Sequence, residues 1–232
     1  MKTHLSTFLK TKSKQWLYIL IFTDLIFIAL HILKSLDFLD HPNFSITRNF
    51  GFGETFFYLK EATAIVLLCQ ISYLTRAKVM YVWTALLIFI FLDDSLEIHE
   101  MAGYYIKDGL EAYFPDTSLE GLGELLFQAS AGLVMISALV RYHFRCPSSY
   151  LKTASQDLFI LFAILVFFGV GVDLLHSLVD LAFLKGVLGL IEDGGEMLTF
   201  SVMLWYIIVL KNTTHLKFNR TPKNTKKMVY AE

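Results

Sequence analysis

Long apolar segments recur along the chain and are separated by short polar segments. Six of them are close to the roughly 20 residues that a helix needs to cross about 30 Å of bilayer hydrocarbon. They fall at residues 15–35, 54–74, 79–101, 119–141, 157–179 and 188–210. Lipid offers no hydrogen-bond partner to an unpaired backbone group, so helices are the expected form. The pattern predicts an all-α, polytopic membrane protein with six transmembrane helices.

The composition supports this prediction and excludes other classes. Hydrophobic residues make up 55% of the 232 residues, more than a soluble domain of this size usually carries. The net charge of −1 gives no basic field for a nucleic acid, so membrane lipids are the expected partners. The two cysteines, Cys69 and Cys146, provide no disulfide framework. We expect one six-helix domain over residues 1–212 and a polar, disordered cytoplasmic tail over 213–232.

The basic residues predict the orientation of the spans. Fifteen of the twenty lysines and arginines fall in the N-terminal segment, two alternate loops and the C-terminal tail. All of these segments lie on one side of the six spans, and the positive-inside rule makes that side cytoplasmic. Both termini are therefore predicted to be cytoplasmic. The short loops and the many Phe and Lys residues favour a bacterial inner membrane.

A similar helical hairpin occurs three times along the chain. In each copy an outward-running span carries an aspartate and a histidine, and the next span opens with a glycine before a glutamate. The aspartate and histidine pairs are Asp24/His31, Asp94/His99 and Asp173/His176, and the glutamates are Glu54, Glu124 and Glu196. Sites in membrane proteins often form where repeats meet. We therefore expect three pseudo-repeated hairpins whose acids lie together.

The acidic residues follow single stripes on the predicted helices. Asp93, Glu97 and Glu100 have the i, i+4, i+7 spacing of one helix face. A carboxylate facing lipid at the helix centre would cost at least about 2.5–3.5 kcal/mol, so each stripe is expected to face the bundle interior. Clustered carboxylates repel one another. Such a cluster therefore requires a bound cation, protons or water.

Other polar residues have structural interpretations. Glu192 and Asp193 fall near the predicted N-terminus of the sixth span, where negative charge complements the helix dipole. His31 is interpreted as a hydrogen-bonded packing group. Lys60 either pairs with Glu61 in the interior or extends its ammonium group to the interface.

The remaining histidines and carboxylates suggest a site for a divalent metal, either Zn, Fe or Mn. The candidate ligands are His99, Glu124, Asp173, His176, Glu196 and Glu54, and the candidate catalytic bases are Asp94 and Glu97. The segment DLLH resembles one of the two Glu-x-x-His elements of di-metal helical bundles, with Asp in place of Glu. The third span lacks the second element, which favours a single metal ion.

Three functions fit these features. The first is a membrane-embedded, metal-dependent hydrolase or oxidoreductase that acts on a lipid-like substrate near the outer face. The second is a proton- or cation-coupled transporter, in which Asp24 would act as a relay near mid-membrane. The third is a non-catalytic membrane subunit or sensor.

Overall fold

The structure is a computed structural model and describes residues 2–111, 120–177, 179 and 181–219. Within these ranges every regular element is helical. The helices are α1 Lys2–Ser35, α2 Phe52–Thr75, α3 Lys78–Leu96, α4 Ile98–Glu111, α5 Glu120–Phe144, α6 Ser149–Val166, α7 Asp173–Ser177 and α8 Ala182–Asn219. A π-helical segment, Phe167–Val172, joins α6 to α7. The prediction of an all-α fold is confirmed.

Six helical segments in the described part of the chain are long and apolar enough to span a membrane. They are Lys14–Ser35, Phe52–Thr75, Lys78–Leu96, Gly123–Phe144, Ser149–His176 and Ala182–Lys217. Each predicted span overlaps one of these segments. The last helix, α8, continues to Asn219, so residues 213–219 of the expected tail are helical, and residues 220–232 lie outside the described ranges.

The outer circumference of the bundle is strongly apolar. Phe22, Leu133 and Val134 are each about two-thirds exposed, at 67%, 69% and 67%. An apolar surface of this extent is rare on a soluble monomer. It matches the surface that a bundle of lipid-facing helices requires.

The longest helix, α8, is central to the packing. It contacts α1, α2 and α6, while α3 packs against α2 and α5, and α4 packs mainly against α5. Phe57 of α2 meets Phe200 of α8 with ring centroids 5.2 Å apart. The buried indole of Trp83 donates to the Ser155 hydroxyl at 2.9 Å, which satisfies its only polar group.

One end of the bundle collects the acidic residues. There α2 begins, α3 ends, and the chain passes from the π-helical segment through α7 into α8. Acids from these elements lie within electrostatic reach of one another. We call this the acidic end of the bundle.

Candidate functional site

The first group of candidate ligands forms where α3 ends. Glu97 adopts a left-handed backbone with φ 51°, and its N–H donates to the carbonyl of Asp93. The helical path breaks there and restarts as α4, which turns His99 back toward α3. Nδ1 of His99 lies 3.4 Å from Oδ2 of Asp93. Asp93, Asp94 and His99 each offer a ligand atom within 4.8 Å of the other two.

This break contradicts the predicted stripe of Asp93, Glu97 and Glu100. The stripe assumed a continuous helix, whereas the left-handed residue ends α3 at Leu96. The carboxylate of Asp93 beside it raises the pKa of His99 above its ordinary value, and this outweighs the effect of burial. A metal takes the neutral imidazole, so a cation at this group competes with a proton for His99.

The second group forms between α7 and α8. His176 Nδ1 lies 3.1 Å from Oε2 of Glu192. Asp173, His176 and Glu192 again each offer a ligand atom within 4.8 Å of the others. Glu192 lies well inside α8, which begins at Ala182, so its interpretation as a helix N-terminal charge is wrong. Its histidine contact is a tertiary one.

Two further carboxylates lie within electrostatic reach of these groups. Glu61 is 1% exposed, and neither of its oxygens has a hydrogen-bond partner among the described residues. The charges of Asp94 and Glu196 both act on it. Glu196 in turn is within electrostatic reach of Asp94 and Asp173, one member of each group. The two groups and these two carboxylates form one cluster.

The π-helical segment makes room for Glu196. A Cβ atom on Gly169 would collide with the Glu196 carboxylate, and one on Gly195 would collide with the ring of Phe168. Glycine at both positions therefore allows this segment to pack closely on α8. Single π-helical turns inside α-helices often occur at functional sites.

A buried ion pair lies beneath the cluster, at the centre of the bundle. Lys60 Nζ donates to Asp24 Oδ1 at 2.8 Å, to the Met197 carbonyl at 2.8 Å and to the Ser201 hydroxyl at 3.1 Å. Ser201 donates to the other oxygen of Asp24. Asp24, Lys60 and Ser201 are 0%, 2% and 0% exposed. The lysine thus pairs with Asp24, and neither of its two predicted placements is correct.

The chain matches one protein family over residues 19–211, a family described as "Domain of unknown function (DUF8692)". It belongs to this family. No curated protein and no solved structure matches the chain.

In this DUF8692 protein the predicted site residues divide into three sets. The first set lies in the two ligand groups and consists of Asp94, His99, Asp173 and His176. The second is Glu196, which is within electrostatic reach of both groups. The third is not part of either group and consists of Glu54, Glu97 and Glu124. Glu54 accepts hydrogen bonds from the Phe50 backbone N–H and, at 2.9 Å, from the Tyr58 hydroxyl, which fixes the start of α2. Glu97 accepts from Asn49 at 2.7 Å.

The position of Glu124 follows from the packing of α5 on α4. The adjacent Gly123 approaches Gly103 so closely that a Cβ on it would lie 2.6 Å from the Gly103 carbonyl oxygen. Glu124 is half-buried beside this contact.

Sequence reasoning assigned no site role to three residues of this DUF8692 cluster: Asp93, Glu192 and Glu61. Asp93 was placed on a stripe with Glu97, and Glu192 was placed at a helix terminus. Of the three, Glu61 was the easiest to find from the sequence, because it falls on one helical stripe with Glu54 and Tyr58.

His31 has the role that the sequence predicts, a hydrogen-bonded packing group. It is buried, and its Nδ1 accepts from the Ile46 N–H at 3.3 Å.

Proposed function

We propose that this protein is a membrane-embedded metalloenzyme that binds divalent cations at its acidic end and acts on a lipid-like substrate. The observation that carries the proposal is the pair of ligand groups, each with one histidine and two carboxylates within 4.8 Å. Buried Glu61, whose oxygens have no hydrogen-bond partner among the described residues, supports it independently.

A cation accounts for the state of Glu61. A buried carboxylate without hydrogen bonds is costly, because desolvation is not compensated. The neighbouring groups Asp94, Glu196 and Glu54 are all acidic, and among the described residues that act on Glu61 only Lys60 opposes them. That lysine is already held by Asp24. Divalent cations in the adjacent groups would neutralise the cluster.

The ligand types fit metal-assisted chemistry. One imidazole and two carboxylates suit Zn, Mn or Fe and leave coordination positions open for water and substrate. We take hydrolysis as the reaction. A divalent metal held by one of the two ligand groups would supply the activation of a water molecule as the nucleophile. Glu61 would take up the proton of this water as the water oxygen forms a bond to a carbonyl carbon or phosphorus of the substrate. The bond to the leaving group breaks, and that group takes up the proton. Iron in the purified protein would favour an oxidoreductase instead.

The location is part of the proposal. The distribution of basic residues favours both termini in the cytoplasm, and the short loops with many Phe and Lys residues favour a bacterial inner membrane. In that orientation the acidic end faces the outer leaflet. Substrate would then reach the cluster from the membrane, between helices, rather than from the cytoplasm.

A second candidate function is a proton- or cation-coupled carrier. It is favoured by the buried pair of Asp24 and Lys60, which lies below Glu61 and continues the line of ionisable groups toward mid-bundle. Intramembrane ion pairs often mark such pathways. Proton flux into liposomes that is abolished by Asp24→Asn, with no metal-dependent turnover, would replace the first proposal by this one.

Metal analysis of the purified protein tests the first proposal. We expect up to two divalent metal ions per chain in the wild type, and the loss of one of them in each of Asp93→Asn and His176→Ala. Glu100→Gln and His41→Ala are matched controls, because both residues are exposed and lie outside the two groups. Substoichiometric metal in the wild type, together with thermal stability that chelators leave unchanged, would contradict the proposal.

A further inference from the structure

An open, apolar groove runs between α1 and α2 at the acidic end of the bundle. Its volume is about 650 Å³, within the range of roughly 300–1,000 Å³ typical of small-molecule sites. The lining residues are Phe27, Leu30, Phe44, Phe52, Thr55, Phe56, Tyr58, Leu59 and Phe91. Along its length α1 packs mainly on α8, and its contact with α2 is slight.

Aromatic contacts shape the walls of the groove. Phe27 meets Phe56 with ring centroids 5.5 Å apart, and Tyr58 meets Phe91 at 6.2 Å. The groove is open toward the surroundings, because Phe52 and Leu59 are 46% and 62% exposed. Both residues belong to a segment apolar enough to span a membrane. A bilayer would therefore present hydrocarbon chains directly to the opening.

Tyr58 connects the groove to the acidic cluster. Its ring is part of the groove wall, and its hydroxyl donates to Glu54 Oε1 at 2.9 Å and lies 3.1 Å from the carbonyl oxygen of Asp94. Asp94 is a member of the first ligand group. A molecule with a hydrocarbon chain in the groove would thus have its other end close to the proposed metal site.

We infer that the groove binds the acyl chain of the substrate, a lipid whose oxygen-bearing polar end reaches the carboxylates beside Tyr58. The inference rests on the proposed function. Lipid tails are as apolar as the groove, so transfer from bilayer to groove gains little from the hydrophobic effect. The groove therefore holds the chain by its shape and by contacts with its aromatic rings. The polar end of the lipid makes binding here more favourable than binding elsewhere on the apolar surface.

Photolabelling in proteoliposomes tests the inference. The probe is an acyl lipid with a diazirine midway along its chain, and the labelled positions are mapped by mass spectrometry. We expect severalfold stronger labelling of segment 52–59 and Phe91 than of other exposed apolar positions. Thr55→Trp and Leu59→Trp should fill the groove and remove this labelling. Val66→Trp is the matched control, since Val66 is exposed on the same helix and does not line the groove.

A second probe isolates the contribution of the polar end. A diazirine alkane without a polar group should label the groove no more than the rest of the apolar surface. Labelling by the acyl lipid that is even over the bundle, or that persists in both groove variants, would overturn the inference. The same would follow if the alkane labelled the groove as strongly as the lipid.

Metal content measured on the same samples separates this inference from the proposed function. The groove variants lie outside both ligand groups, so they should keep the metal of the wild type. Normal metal with even labelling would mean that the groove inference alone is wrong. Focused labelling without metal in the wild type would mean that the groove binds a chain while the proposed metal chemistry fails.

Discussion

The buried pair of Asp24 and Lys60 should be the most sensitive point in the bundle to a single substitution. In Asp24→Asn the ammonium group of Lys60 keeps the carbonyl of Met197 and the hydroxyl of Ser201. It loses the one carboxylate that bonds it within the described part of the chain. Both members of the pair are almost fully buried, at 0% and 2% exposure. Water is therefore not available to replace the lost partner.

The expected cost follows from this burial. Removing one member of a buried ion pair typically destabilises a protein by about 3–5 kcal/mol, because the other charge is left uncompensated. Removing both charges is often neutral or stabilising. We expect Asp24→Asn to lower the free energy of unfolding by about 3 kcal/mol, the lower end of that range, because lysine can release its proton when it is unpaired. The double variant Asp24→Asn/Lys60→Met should recover most of this loss.

Reversible unfolding in mixed micelles, followed by circular dichroism, measures these values. Asp37→Asn is the control, because Asp37 is an exposed acid just beyond the end of α1, and its replacement should change stability by no more than about 0.5 kcal/mol. If Asp24→Asn behaves like Asp37→Asn, the pair does not hold the helices together. If the double variant is as unstable as the sum of the single variants, the two side chains are not coupled.

Three further predictions follow from the fold. Gly123→Ala should lower the free energy of unfolding by about 1–3 kcal/mol, because the new Cβ would meet the backbone of Gly103 where α4 packs on α5. Gly132→Ala on the same helix is the control. Its Cβ would meet nothing within 4 Å, so it should raise the free energy of unfolding by up to about 1 kcal/mol. Equal effects in a thermal unfolding assay would contradict the close approach. Gly169→Ala should displace the flexible Glu196 side chain, so we expect weaker metal binding with little loss of helix content. Metal titration measures the affinity, and an unchanged affinity would show that Glu196 is not part of the site. Reporter fusions at both termini should show cytoplasmic activity, and activity of a periplasmic reporter at either end would reverse the orientation of the acidic end.

The helical architecture was predictable because it depends on local properties of the sequence. A run of about 20 apolar residues identifies a helix long and apolar enough to span a membrane without knowledge of its partners. The ends of the helices were less predictable, as at Glu97, where a left-handed residue inside an acidic run ends α3. Helical periodicity alone does not show that a non-glycine residue will adopt this conformation. The three pseudo-repeats stay a prediction, and the first copy differs from the others because its Asp24 is held by Lys60.

The candidate site was predictable in its ingredients and its end of the bundle but not in its pairings. His176 and Asp173 were identified because they lie one turn apart on one helix. Their partner Glu192 is 16 residues from His176, and the contact depends on how α7 turns into α8. Glu124 is a predicted ligand by analogy between repeats, and the two groups of ligand atoms do not include it. Contacts between helices decide which side chains lie together at the site. Periodicity within one helix does not show these contacts.

The metal content of the purified protein is the most direct test of the central claim. Two ligand groups predict up to two divalent cations per chain, as measured by elemental analysis of protein purified without added chelator. Asp93→Asn and His176→Ala should each remove one of them, because each residue belongs to a different group. Wild-type protein that carries only traces of divalent metal, and that binds none when zinc, manganese or iron is supplied, would contradict the account.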